Sequence, residues 1–196
     1  MVSLVLGKPQ KNSMISDIAL ELKKLHVLSG AEYSRQVERI AKSKVFHPLE
    51  NEEGIYTPGV LKNDDFQNQL VAARKAVEFG YKVFILPTPR KTESRTPDFI
   101  LEKKGTYRAY DLKTITGKSS VGQDLIDSIG QCNRILLNMI SDYNTRSLAF
   151  DIKRYFETSK KASEVLIFKG KKRISINRMM ASDGAYLHKF KRVYEL

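Results

Sequence analysis

Hydrolysis of a phosphate ester needs a polarised phosphate, an attacking water and compensation for charge on the departing oxygen, all at one point. The hard cations Mg2+ and Mn2+ do the polarising, and a protein usually holds them with one or two carboxylates plus waters. Three residues have the types and spacing for this: Asp98, which follows Pro97, and the pair Asp111 and Lys113. Twelve residues separate the two aspartates, a gap that suits a β-hairpin. Residues two apart on a strand share a face, roughly 6–7 Å apart. Asp111 is thus placed to bind metal while Lys113 holds the attacking water or the developing negative charge. Leu112, between them, faces the other way, into the core. Pro-Asp is common in turns and D-x-K is ordinary strand alternation, so the elements around the three residues decide the matter.

Those elements are read from hydrophobic period and breakers. Ile15, Ile18, Ala19, Leu22 and Leu25 stripe a helix over 14–28, with Ser13 or Ser16 as its cap, and Tyr33, Val37, Ile40 and Ala41 stripe a second over 31–45. Ser29-Gly30 between them predicts a helical hairpin. Pro48, Gly54, Pro58 and Gly59 mark 47–59 as a linker or loop. A helix follows over 63–79, capped by Asn63 or Asp64 and stopped by Gly80. Strands are expected at 83–86, 97–102 and 107–114, with a polar loop through Pro89, Lys91, Glu93 and Arg95, and Lys103-Lys104-Gly105 as a turn. A helix over 122–133, a strand or continuing helix over 134–140, a helix over 147–161 and a hairpin of 164–168 with 173–176 complete the pattern. The order predicts a mixed α/β domain around one sheet, residues 60–196, preceded by the helical hairpin and linker of residues 1–59.

Charge narrows the partner. The 196 residues carry 34 Lys and Arg against 22 Asp and Glu, a net of +12, which attracts polyanions, nucleic acid foremost. The one cysteine, Cys132, excludes a disulfide framework within the chain and reads as a core thiol. No apolar run approaches a membrane span. The three histidines, His26, His47 and His188, form no paired acid–base or zinc pattern. Lys118, Ser119 and Ser120 follow the D-x-K strand in a Gly-containing loop, where they either clamp a phosphate or merely connect strand to helix. Residues 151–196 hold 12 Lys and Arg against five acids, densest at Lys169, Lys171, Lys172 and Arg173. Tyr155, Phe156, Tyr186 and Tyr194 are interleaved, either as core or as platforms for unpaired bases.

The string Pro97-Asp98 … Asp111-Leu112-Lys113, in this order of elements, resembles the signature of the PD-(D/E)xK nuclease superfamily. Residues 63–178 are more specifically similar to the C-terminal nuclease domain of bacterial contact-dependent growth inhibition toxins. The stretches that carry this are Phe79-Gly80-Tyr81-Lys82-Val83, Leu86-Pro87, Thr96-Pro97-Asp98-Phe99, Tyr110-Asp111-Leu112-Lys113-Thr114 and Thr116-Gly117-Lys118-Ser119-Ser120, with Gln131 and the apolar run after it. The resemblance implies a restriction-endonuclease-like core, with Asp98 and Asp111 as metal ligands, Lys113 as catalytic helper and Gln131 near the site. It also implies an RNase, typically one that cuts tRNA, with a cognate immunity protein and a cytoplasmic site of action reached from another cell or a phage particle. A DNA endonuclease of phage or mobile-element origin is the nearest alternative. In the family a glutamate on the preceding helix often completes the metal site. The corresponding positions here are Gln69 and Val71, so Gln69, or Asp65 one turn earlier on the same face, is expected to take that place. A third alternative, a nucleic-acid-binding protein that keeps the fold with weak chemistry, rests on this departure.

Overall fold

The computed structural model describes residues 10–59, 65–87, 96–117 and 120–195 (for 10–16, the backbone alone). The chain runs α1 (Gln10–Lys24), α2 (Gly30–Ala41), β1 (His47–Pro48), β2 (Ile55–Thr57), α3 (Phe66–Glu78), β3 (Lys82–Ile85), β4 (Phe99–Lys103) and β5 (Thr106–Ile115). It continues through α4 (Val121–Asp127), β6 (Arg134–Met139), α5 (Thr145–Thr158), β7 (Glu164–Lys169), β8 (Lys172–Asn177), α6 (Arg178–Ala181) and α7 (Tyr186–Glu195). The eight strands form one mixed sheet in chain order. β3, β4 and β5 are antiparallel neighbours, while β5, β6 and β7 run parallel through the crossover helices α4 and α5. The fold is α/β, with helices on both faces of the sheet.

β5 is the strand that organises the rest. Its first half pairs with β4, from Thr106↔Lys103 to Tyr110↔Phe99, and its second half pairs with β6, from Asp111↔Ile135 to Ile115↔Met139. The ladder changes partner between Tyr110 and Asp111. The turn before it is Lys104-Gly105, with φ of 52° and 77°. Two consecutive positive φ values make the tight hairpin turn whose twist matches its strands, and glycine takes its share without strain.

Alternation along the strands sorts the core. Phe99, Leu101, Tyr110 and Leu112 point to one face, where they meet Leu70, Ala72, Ala73 and Ala76 of α3. Ile100 and Ala109 point to the other, where they meet Leu22, Val37 and Ile40 of the helical hairpin. On that same side Ile115, Ile135, Leu137, Val165 and Ile167 are covered by Leu125 of α4, by Leu148, Ile152 and Tyr155 of α5, and by Phe190 of α7. Each such large side chain contributes about 1.5–3 kcal/mol by leaving water.

Three segments differ from the sequence reading. Residues 47–59, read as a linker, contain β1 and β2, which extend the sheet beyond β3. Strands of two and three residues are too short to show a period. The helix expected over 122–133 stops at Asp127, because Ser128 caps it and Gly130 turns the chain at φ 91°. The basic tail folds into α6 and α7, and Tyr155, Phe156, Tyr186 and Tyr194 are buried in the core rather than offered to bases. The polar loop through Pro89 to Arg95 and the caps Asn63 and Asp64 lie outside the described residues, and the side chains of Ser13 and Ser16 do as well.

Candidate active site

The hairpin brings Asp98 and Asp111 face to face. Asp98 stands one step past the Phe99↔Tyr110 pair, opposite Asp111. Its backbone is held on both sides: the Asp98 amide donates to the Tyr110 carbonyl at 2.9 Å, and the Leu86 amide donates to the Asp98 carbonyl at 2.8 Å. Its carboxylate accepts from the Leu112 amide, 2.8 Å from Oδ2. That bond fills a place where the β4 ladder has ended and β5 continues, so Asp98 also acts as the ladder's terminal partner. Asp111 is buried at 2% exposure. Lys113, on the same face of β5, puts Nζ 3.2 Å from Asp111 Oδ2. Leu112 points into the α3 core, as its place between them requires.

The electrostatics of the pair are unusual for a structural carboxylate. Burial, and then the neighbouring charge of Asp111, push the Asp98 carboxyl well above the ordinary carboxylate range, while the Leu112 amide and Lys113 pull it back. Glu164 of β7 makes the contrast. It too is buried, yet it accepts from Tyr110 Oη at 2.9 Å and Ser175 Oγ at 2.6 Å, and faces Arg108 at 3.2 Å and Arg134 at 3.5 Å. Cations and hydroxyls compensate that carboxylate fully within the fold. Asp98 and Asp111 instead face each other as two carboxylates with Lys113 beside them, and two facing carboxylates are the donor set that suits a hard divalent cation.

α4 adds two residues that the sequence reading does not single out. Ser128, fully buried, donates from Oγ to Asp111 Oδ2 at 2.5 Å and also lies 2.8 Å from the Asp124 carbonyl. Asp124, one turn earlier on the same helix, is half-buried. Burial raises its carboxyl, and it also feels Lys113, which lowers it, and Asp111, which raises it. The i,i+4 spacing of Asp124 and Ser128 was the available signal, beside the apolar Val121 and Leu125 that fix the helix on the core.

The other expected site residues are distributed differently. Gln69 is buried on α3, whose apolar neighbours lie on the sheet face opposite Asp111 and Lys113. Asp65 is exposed before α3 and accepts from Asn68 Nδ2 at 2.7 Å. Among the described residues no group of three or more His, Cys, Asp or Glu side chains gathers around one point where a metal ion could sit. Gln131 donates to the Asp127 carbonyl at 3.0 Å and lines a cavity with His26, Tyr33 and Cys132, against the helical hairpin. Ser120 is the exposed N-cap of α4, and Lys118 and Ser119 lie outside the described residues.

The basic cluster makes contacts within the fold and also stays at the surface, with Lys171 and Arg173 exposed. Lys169 and Lys172 donate to the Tyr194 carbonyl near the end of α7, at 3.4 and 3.2 Å, and Lys169 also pairs with Asp142 at 3.0 Å. Arg173 donates to Tyr81 Oη at 2.7 Å. Lys171 is exposed at the hairpin turn. Cys132 is half-buried at the edge of the core rather than fully within it: Sγ donates to the Ala109 carbonyl at 3.1 Å, and burial raises it above the usual thiol value. No described helix is long and apolar enough to cross a membrane.

These features define an α/β protein with a paired-aspartate and lysine site at the seam of a mixed sheet. No family model matches the chain, and no curated protein and no solved structure matches it.

Proposed function

We propose that the protein is a divalent-metal-dependent endonuclease with a restriction-endonuclease-like core. The observation that carries this reading is the facing pair Asp98 and Asp111 with Lys113 Nζ 3.2 Å from Asp111. Asp98 and Asp111 would hold Mg2+ or Mn2+, which when bound would supply the Lewis acidity that polarises a phosphodiester. Lys113 offers its ammonium to a phosphate oxygen or to the attacking water. Water adds to phosphorus and gives up a proton to solvent, the bond to the leaving oxygen breaks, and that oxygen takes up a proton from solvent. The net charge of +12 supports a polyanionic substrate. The toxin-like motifs favour RNA, tRNA first, with DNA second, and an immunity protein as the partner of a toxin acting in the cytoplasm.

One observation favours a second reading, a nucleic-acid-binding protein with weak chemistry. The helix that would bring a third carboxylate has the buried Gln69 instead, and Asp65 turns to Asn68. Incubation of the purified protein with tRNA, plasmid and single-stranded DNA, with Mg2+, with Mn2+ and with chelator, separates these readings. Cleavage that stops with chelator and falls at least about 100-fold in Asp111→Ala, with the fold retained by circular dichroism, is the expected result. That factor corresponds to about 2.7 kcal/mol of transition-state stabilisation. Binding without cleavage of any substrate selects the second reading.

A further inference from the structure

Ser128 is placed to decide how Asp111 is presented. Its hydroxyl is fully buried and 2.5 Å from Asp111 Oδ2. Lys113 reaches the same oxygen, at 3.2 Å. Two partners on Oδ2 fix the rotation of the carboxylate about its last bond, which would otherwise be a broad torsion. Asp98 faces this carboxylate across the seam at hydrogen-bonding range. Ser128 is itself held: its amide donates to the Asp124 carbonyl at 3.2 Å, and its hydroxyl touches the same carbonyl. Leu125 and Val121 anchor α4 to the core with no exposure. An ordinary helix-end serine needs only the bond to the carbonyl four residues back. Here the one hydroxyl proton is directed instead at a carboxylate on the neighbouring strand, in a wholly buried place.

We propose that Ser128 is a positioning residue for the metal site, holding Asp111 in the orientation in which it and Asp98 bind one divalent cation together. The inference rests on the metal-site reading above. It assigns to α4 the supporting role that outer-layer hydrogen bonds play around metal ligands, whose loss typically costs about 10–100-fold in affinity.

The test is calorimetric titration of the full chain with Mn2+, without nucleic acid. Wild type, Ser128→Ala and Leu125→Val are compared, the last removing a methylene from α4 with no atom at the site. Ser128→Ala is expected to bind Mn2+ about tenfold more weakly or worse, while Leu125→Val keeps wild-type affinity even where its melting temperature falls as far. In cleavage assays Ser128→Ala is expected to lower kcat with little change in KM. Affinity within twofold of wild type for Ser128→Ala overturns the proposal. So does an equal loss in Leu125→Val, which would make the effect one of helix packing, and so does a wild-type protein that binds no Mn2+. Serine-dependent Mn2+ binding in a protein that cleaves no nucleic acid leaves the inference standing and removes the nuclease reading.

Discussion

Asp98→Asn should make the metal-free protein more stable at neutral to alkaline pH. Two like charges about 4 Å apart repel by about 4 kcal/mol at the effective permittivity of a protein site near the surface. Lys113, 3.2 Å from Asp111, and the Leu112 amide, 2.8 Å from Asp98, offset much of this. Asparagine keeps the shape and can still accept from the Leu112 amide. A net gain of about 1–2 kcal/mol remains, equivalent to roughly 2–8 °C in melting temperature for a chain of this size. The pH dependence has a definite sign. The Asp98 carboxyl is raised in the folded state, so the folded protein binds the proton more tightly than the unfolded chain. Its penalty is absent below the ordinary carboxylate value and grows as pH rises towards the folded-state value. The advantage of Asp98→Asn should therefore be present at pH 8 and gone near pH 4. Thermal melts of both proteins in chelator at the two pH values measure it. Added Mg2+ should then raise the melting temperature of wild type and not of the variant. A variant equal to or less stable than wild type at pH 8 refutes the reasoning, because the carboxylate would then be serving only to finish the β4 ladder.

Two further expectations concern the frame around the site. A Cβ on Gly122 would stand 2.7 Å from Asp151 Oδ1 and 3.1 Å from its Cγ, so Gly122→Ala should destabilise by about 1–3 kcal/mol, and Asp151→Ala in the same chain should restore most of that in denaturant melts. Glu21 is held at about 2 by Lys24, Gln36 and Arg39. Its contribution is present above the usual carboxylate range and is lost as pH falls towards 2, so the protection factors of the α1 and α2 amides, each taken relative to intrinsic exchange at the same pH, should be lower at pH 3 than at pH 5. Glu21→Gln should flatten that difference, and an unchanged profile in the variant would count against it.

The sequence carried the β4–β5 hairpin well, because a Lys-Lys-Gly turn sits between two alternating runs and both aspartates fall at its open end. The shared face of Asp111 and Lys113 follows from strand alternation, a local property, and the hairpin turn sets Asp98 opposite Asp111. The contribution of α4 does not. Ser128 looks like any helix-end serine until α4 is laid against β5, and that placement depends on Leu125 and Val121 finding Ile115 and Ile135. The same holds for Lys169, Lys172 and Arg173: a run of cations reads as a surface, yet the Tyr194 carbonyl and the Tyr81 hydroxyl, distant in sequence, take up their donors. α7 had a signal that the charge obscured, since Tyr186, Phe190 and Tyr194 recur every four residues. β1 and β2 had none.

The change of partner along β5 sets an order in time. Closing β4 on β5 requires only the short loop at Lys104-Gly105, so the chain entropy lost is small and the hairpin can form in microseconds. Pairing the second half of β5 with β6 must enclose all of α4 and the loops beside it, a slower search. The hairpin therefore has the shorter closure to make, and Ser128 reaches Asp111 only with the longer closure that seats α4 beside β5.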